Sequence, residues 1–389
     1  MPKDISNKEK LALFLSKIYF LYHKNTKVQV ILIFFTSIIT TLLVYISLGE
    51  KIKFVPMHWD GPNYIEVAKT LYFIPDKHPF KPYKITPSYF ATHLPLYPIL
   101  IRTFSFVGYE NSAIFVTIIF AALATVAFYF LLKEYKCVQS PFYSAIISTF
   151  IPVRWLLYKS ISATEPIFLF LVFISLIAYK RNKITLSMIL ASLSCITRIT
   201  GILILAVYFL EFIRAKKYNK LFLLLIIPIP LFLTFSFYYI NFGDFFAYFT
   251  WNQGNNGIMK LNPLQVYINY SGNGNNHHSE LYFLFYVIYA LGLGFLVQYP
   301  ALFLYSLVNF LFFCFIYHDD LSRYTLAFSH FTLIIAYDKI LNTIQFKLIS
   351  LFVLYLSIIY ASSMIPHNVI VDPVYKKLSE QPEIKFFSK

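Results

Sequence analysis

The chain has 389 residues, 58% hydrophobic and only 13% charged, whereas soluble domains carry about 25% charged residues. With a mean hydropathy of +0.63 spread over many long apolar runs, this predicts an all-α, polytopic integral membrane protein. The net charge of +15 reads as the Lys and Arg of short loops that orient such a chain. No basic run alternates with stacking aromatics, so nucleic acid is not an expected partner.

The cysteines (Cys137, Cys195, Cys314) are too widely spaced for a disulfide framework or a metal site. The nine histidines form no H-x-x-x-H pair. Neither a metal nor another cofactor is expected.

Residues 1–27 alternate Lys3, Lys8, Lys10, Lys17, Lys24 and Lys27 with Leu11, Phe14, Leu15, Ile18, Leu21 and Tyr22 at helical spacing. This predicts a basic amphipathic helix on the cytoplasmic face. Residues 28–48 are long enough to span, and with no small-residue cleavage site they read as a signal anchor. Residues 49–110 then form a long, Pro-rich first external loop with short helices near 64–72 and 96–104. Loops of this length in compact proteins are usually functional.

Spans follow at 112–132, 141–158 and 161–179. The runs 184–197 and 201–213 are each only about 20 Å long as helix. Both outer ends are basic, at Lys180-Arg181-Asn182-Lys183 and at Arg214–Lys220, so they pair as a short hairpin with Arg198 at its tip. Further spans are expected at 221–240, 281–298, 301–317, 324–337 and 348–364, with a second external loop at 241–280 and an external tail at 365–389. The count is about eleven spans, with 28–364 as one membrane domain.

Ionisable residues concentrate at outer helix ends and in outer loops: His58, Asp60, His93, Arg102, Arg154, Lys159, Glu165, Arg198, Asp244, Lys260, Asp319, Asp320 and Arg323. A transporter more often places them at the midplane of broken helices. One prominent carboxylate with several cations suits transfer of a sugar from a lipid phosphate. The phosphate leaving group needs cations rather than a proton, and the acceptor hydroxyl needs one general base. Glycoside hydrolysis usually wants a carboxylate pair.

Each candidate has two readings. Asp60 is a base or the cap of the helix beginning near Asn63. Arg198 binds phosphate or snorkels. Arg323 binds phosphate or pairs with Asp319 or Asp320. Glu165 shapes a site or is a first-turn acid, and Asp244 shapes a site or is a turn residue. Arg154, Lys159 and Lys260 are candidate helpers for the phosphate.

His58-Trp59-Asp60-Gly61-Pro62-Asn63-Tyr64 and the residues on to Tyr72 resemble an H-W-D-x-x-x-Y-x-x-I-A-x-x-G-Y signature. Leu94-Pro95-Leu96-Tyr97-Pro98 resembles F-P-L-Y-P, and Thr164-Glu165 with Phe168 resembles Y-S-E-x-x-F. Thr197-Arg198-Ile199-Thr200-Gly201 resembles T-R-x-x-G, Phe242–Trp251 resembles G-D-P-x-A-F…W, and Arg323-Tyr324 resembles a late R-Y element.

In this order the segments resemble the GPI mannosyltransferase II family and its prokaryotic relatives, in the glycosyltransferase C superfamily. Leu71, Thr164 and Phe245 stand where that family has Gly, Ser and Pro, the pattern of a distant member.

The resemblance implies a metal-independent, inverting transfer of mannose from a polyprenyl-phosphate donor to a glycan or glycolipid hydroxyl on the non-cytoplasmic face. Asp60 would be the catalytic base. His58, Trp59, Tyr64, Glu165, Arg198, Asp244 and Arg323 would bind substrate, and membrane lipids would surround the chain, most simply in a prokaryotic plasma membrane. Transfer of another lipid-linked sugar, a flippase for such lipids and a non-catalytic partner subunit are the rival expectations.

Overall fold

The computed structural model describes residues 25–254, 259–272, 276–318, 320–370 and 372–383. Nearly all of the amphipathic segment expected at 1–27 lies outside them. None of the described residues forms a β-strand, and the regular elements among them are all helical.

Among the described residues, five helical stretches are long and apolar enough to cross a membrane: Thr26–Phe54, Tyr109–Tyr135, Tyr218–Phe242, Ser279–Leu296 and Ile344–His367. This is the architecture of an integral membrane protein.

Helix α1 (Thr26–Leu48) begins where the Asn25 side chain accepts from the Lys27 and Val28 N–H groups, and stops at Gly49, whose φ is +54°. A 3-10 turn carries the chain into the loop region after the first span, where α2 (Gly61–Thr70) and α3 (Leu96–Thr103) form as expected. Helix α2 starts with Pro at its first turn and ends at Leu71 in the left-handed conformation. Arg102 closes the end of α2 by donating to the Ala68 and Lys69 carbonyls, both at 2.9 Å.

The centre is α4 (Tyr109–Tyr135), half of it buried, packed on α1 and on α7 (Glu165–Lys180). Between them the single span expected at 141–158 is instead two short helices, α5 (Pro141–Ile147) and α6 (Val153–Tyr158). Pro152 supplies no N–H and breaks the ladder.

The short hairpin is present as α8 (Ile184–Cys195), a 3-10 turn at 199–202 and α9 (Leu203–Arg214). Helix α8 packs on α7, and α9 packs on α14. Helix α10 (Ile229–Phe242) leads into the second loop region with α11 (Ala247–Gly254) and α12 (Gln265–Gly272). Then come α13 (Asn276–Leu296), α14 (Pro300–Phe313) and α15 (Leu321–Tyr324).

The run expected to span at 324–337 does so in no single helix. It is a 3-10 turn and a π-helical stretch, His330–Ile335, followed by α16 (Asp338–Leu341). Helix α17 (Ile344–Met364) packs on α1 but exposes Leu348, Leu351 and Phe352, an apolar surface that lipid would cover. Helix α18 (Asp372–Glu380) is in the tail.

The tail folds back on the first loop. Trp59 N–H donates to Asn368 O at 2.7 Å and Ile370 N–H to Met57 O at 3.0 Å. Lys69 Nζ donates to the Leu378 and Gln381 carbonyls at 2.7 and 3.0 Å, and Gln381 Nε2 donates to Glu66 Oε1 at 2.8 Å. The tail and the Asp60 loop therefore lie at the same end of the molecule.

Candidate active site

Asp60 occupies the N-cap position of α2, but its side chain bonds none of the helix N–H groups; only its backbone carbonyl accepts, from Tyr64 N–H. The capping reading is thereby removed. The carboxylate turns instead toward Arg323, whose Nη1 donates to Oδ2 at 3.1 Å, and toward His93, whose Nε2 is 3.8 Å from Oδ1. Burial pushes this carboxyl up, but the His93 imidazole and the Arg323 charge outweigh it and hold it below the ordinary carboxylate range.

Arg323 does not pair with Asp320 through its side chain. Its Nε donates to Glu165 Oε1 at 2.9 Å, and its guanidinium lies over the Tyr158 ring, 4.8 Å from the centroid. One planar fork thus ties the acid after α1 to the acid that opens α7. Glu165 Oε1 also accepts from Arg198 Nη1 at 2.5 Å, and the same Nη1 lies 3.3 Å from Thr164 Oγ1. Glu165 is therefore not an isolated first-turn acid; it holds two arginines.

Arg198 stands just before the turn at 199–202 with extended backbone. Gly201 fixes that turn: a Cβ there would lie 2.6 Å from the Ser194 carbonyl.

Asp320 is taken by Arg154, which pairs with it while donating to Tyr360 Oη at 2.6 Å. Tyr158 Oη donates to Asp320 Oδ2 at 3.1 Å. Tyr158 thus sits between the two arginine–acid groups. Asp319 lies outside the described residues.

Asp60, His93, Arg198 and Arg323 line one cavity of about 950 Å³. Its other lining includes Trp59, Tyr64, Tyr89, Tyr248, Phe249 and Trp251, with Val369 and Ile370 from the tail. The volume is that of a large ligand pocket. The charged groups share a lining that is otherwise mostly aromatic and aliphatic.

Four sequence expectations fall elsewhere. His58 is buried outside the cavity lining, and its Nδ1 is 2.9 Å from Ile365 O, so it ties the tail to the loop. Asp244 is a turn residue just before α11, as its second reading had it: Oδ1 accepts from Phe246 N–H and Oδ2 from Thr250 Oγ1, both at 2.8 Å, and it does not line the cavity. Lys159 is fully buried and donates to Ser37 O at 2.8 Å and Thr40 Oγ1 at 2.6 Å on α1, where no phosphate can reach it. Lys260 lies over the Tyr317 ring and is not in the lining.

No family model matches this chain. No curated protein matches it either.

Two groups of site residues carried only a partial sequence signal. His93 directly precedes the Leu94–Pro98 segment and could have been paired with Asp60 on that basis. The aromatic lining from 248–251 lies inside the Phe242–Trp251 segment, where the acid drew attention first. The tail residues Val369 and Ile370 carried no signal, because nothing local reveals a chain that returns from the far end of the sequence.

Proposed function

We propose that this chain is an inverting glycosyltransferase of the membrane-embedded, glycosyltransferase C type, with about eleven crossings. It would move a sugar, in the first instance mannose, from a polyprenyl-phosphate donor to a glycan or glycolipid hydroxyl at the outer face of a prokaryotic plasma membrane. The observation that carries this is the convergence of Asp60, Arg198 and Arg323 on one aromatic-lined cavity. One base beside two guanidinium groups is the set that a phosphate leaving group and a neutral hydroxyl nucleophile require.

Asp60 takes the acceptor proton as the hydroxyl oxygen attacks the anomeric carbon. The bond from that carbon to the phosphate oxygen breaks, and the lipid phosphate leaves with its charge paired to Arg198 and Arg323. A carboxylate held below its ordinary range is a weak base. Arg323 is shared, however, and an incoming phosphate competes with Asp60 for it. Drawing Arg323 away raises the basicity of Asp60 only when the donor is in place. Aromatic side chains such as Trp59, Tyr89 and Trp251 supply flat apolar faces for sugar rings.

The motif order supports the mannosyltransferase reading, and so does Leu71. It stands where the resembled signature has glycine, and its φ is +46°, a conformation that costs about 1–2 kcal/mol for an L-residue but nothing for glycine.

The test is sugar transfer in proteoliposomes with labelled polyprenyl-phosphate mannose and an acceptor extract, comparing wild type with Asp60→Asn. Transfer in the wild type, lost in the variant while donor binding persists, supports the reading. Donor crossing the membrane unconsumed in both sinks it in favour of a flippase. Turnover only with another lipid-phosphate sugar keeps the chemistry and replaces mannose.

A further inference from the structure

A second polar pocket lies at the other end of α7. From Glu165 to Lys180 the helix rises about 22 Å. The C-terminal ends of α4, α7 and α9 meet the turn between α13 and α14 there and enclose a cavity of about 370 Å³. Lys180, Arg214 and Lys217 line it with one carboxylate, Glu211. Arg214 satisfies that carboxylate with two hydrogen bonds, at 2.9 and 3.0 Å, and Tyr179 Oη adds a third at 3.0 Å.

The two lysines are therefore surplus charge. Lys180 Nζ lies over the Tyr135 ring and Lys217 Nζ over the Tyr179 ring, 5.3 and 5.7 Å from the centroids. Lys217 also donates to Asn182 Oδ1 at 3.3 Å. Among the described residues neither forms an ion pair.

The pocket is flanked by apolar side chains that the protein covers only in part. Phe209, Leu210 and Ile213 on α9, and Phe295 and Val297 at the end of α13, are all more than a third exposed. A cationic pocket with tyrosine walls beside a partly exposed apolar flank fits an amphiphile with an anionic head. Basic pockets between membrane helices bind such headgroups.

We propose that this pocket binds the phosphate headgroup of an anionic phospholipid, with Lys180 and Lys217 as its cations and the exposed α9 and α13 side chains against its acyl chains. The proposal is independent of the glycosyltransferase reading and uses none of its residues.

The test is lipid titration of the purified full chain in detergent, read by native mass spectrometry, with phosphatidylglycerol, phosphatidylcholine or inorganic phosphate as probe. Wild type should retain phosphatidylglycerol in preference to phosphatidylcholine. Lys180→Gln/Lys217→Gln should weaken phosphatidylglycerol binding by roughly thirtyfold, from about fivefold per basic side chain. Lys347→Gln, which removes an ammonium stacked on Tyr143 outside the pocket, should leave it unchanged.

The melting temperature in phosphatidylcholine alone checks that the double variant is folded; if it is not, Lys180→Gln by itself, with about a fivefold loss expected, carries the test. Equal phosphatidylglycerol binding by wild type and the folded variant overturns the site. Equal retention of phosphatidylcholine does so as well. Inorganic phosphate displacing phosphatidylglycerol at matched concentration overturns the lipid assignment and makes the ligand a soluble phosphate.

Discussion

Arg323 reaches Asp60 across 263 residues of sequence, and its Nη1 donates to the carboxylate at 3.1 Å. The same guanidinium spends its Nε on Glu165, so a single side chain bonds two acids. A lysine ammonium has no fixed fork with which to do this. Arg323→Lys should therefore keep the chain folded but lower donor affinity by about tenfold or more, an effect of the size expected for losing one charge-assisted contact. Arg323→Ala leaves Glu165 buried with Arg198 alone, and it should cost about 3 kcal/mol of stability. Thermal unfolding and donor titration on both variants check this, and equal donor affinity in wild type and Arg323→Lys would remove Arg323 from the phosphate site.

The pH profile should separate free and donor-bound enzyme. In the free protein Asp60 is held below the ordinary carboxylate range, so its folded form binds a proton more weakly than the unfolded chain does. The stabilisation from its partners is present above the ordinary range and is lost as pH falls through the lowered value. The acid limb of kcat/KM reports the free enzyme and that of kcat the complex. The kcat limb should lie at higher pH, because the donor has taken Arg323 from Asp60. Coincident limbs would mean that Arg323 stays on Asp60 during turnover.

Gly201→Ala should act at a distance. Its new Cβ would lie 2.6 Å from backbone atoms of Ser194, which cannot swing aside as a side-chain end can. The turn must open, at about 1–3 kcal/mol, and Arg198 moves with it. The expected phenotype is that of Arg198→Ala in donor binding, with intact membrane insertion; normal donor affinity would show that the turn does not place Arg198.

The tail should undock as pH rises. Glu66 is fully buried and accepts from Gln381; burial pushes its carboxyl up to about 7, against the Gln381 hydrogen bond and the Lys69 charge. Its folded form binds a proton more tightly than the unfolded form. That contribution is whole below the ordinary Glu range and is lost as pH rises through about 7. Protection of the α18 amides against hydrogen exchange, corrected for intrinsic rates, should fall by up to about tenfold per pH unit across that window. Glu66→Gln should flatten the dependence, and a slope unchanged by it would assign the titration to another group.

How much of this was legible in the sequence differs by scale. Apolar runs of membrane length announced α1, α4, α10, α13 and α17, because lipid demands them wherever they pack. The short hairpin was legible from its two basic ends. The break inside 141–158 and the irregular run at 324–337 were not, since composition there is as apolar as in a span and only packing decides the helix path.

At the site, Asp60, Glu165, Arg198 and Arg323 were legible as charges in apolar surroundings, and the structure brings them together. Asp244 and Lys159 looked the same in sequence. A turn acid and a buried lysine satisfied by hydroxyls and carbonyls differ from site residues only in what faces them.

His58 and Ile365 are joined by a hydrogen bond that spans 307 residues. The strand of chain beside Asp60 is thus finished by residues the ribosome delivers long after that loop has been made. While α4 to α17 are still being inserted, the loop stands with an unfinished wall. A reporter fused close behind the tail helix would sit near the Lys69 end of α2, where Lys69 Nζ holds the Leu378 and Gln381 carbonyls, rather than at a neutral end.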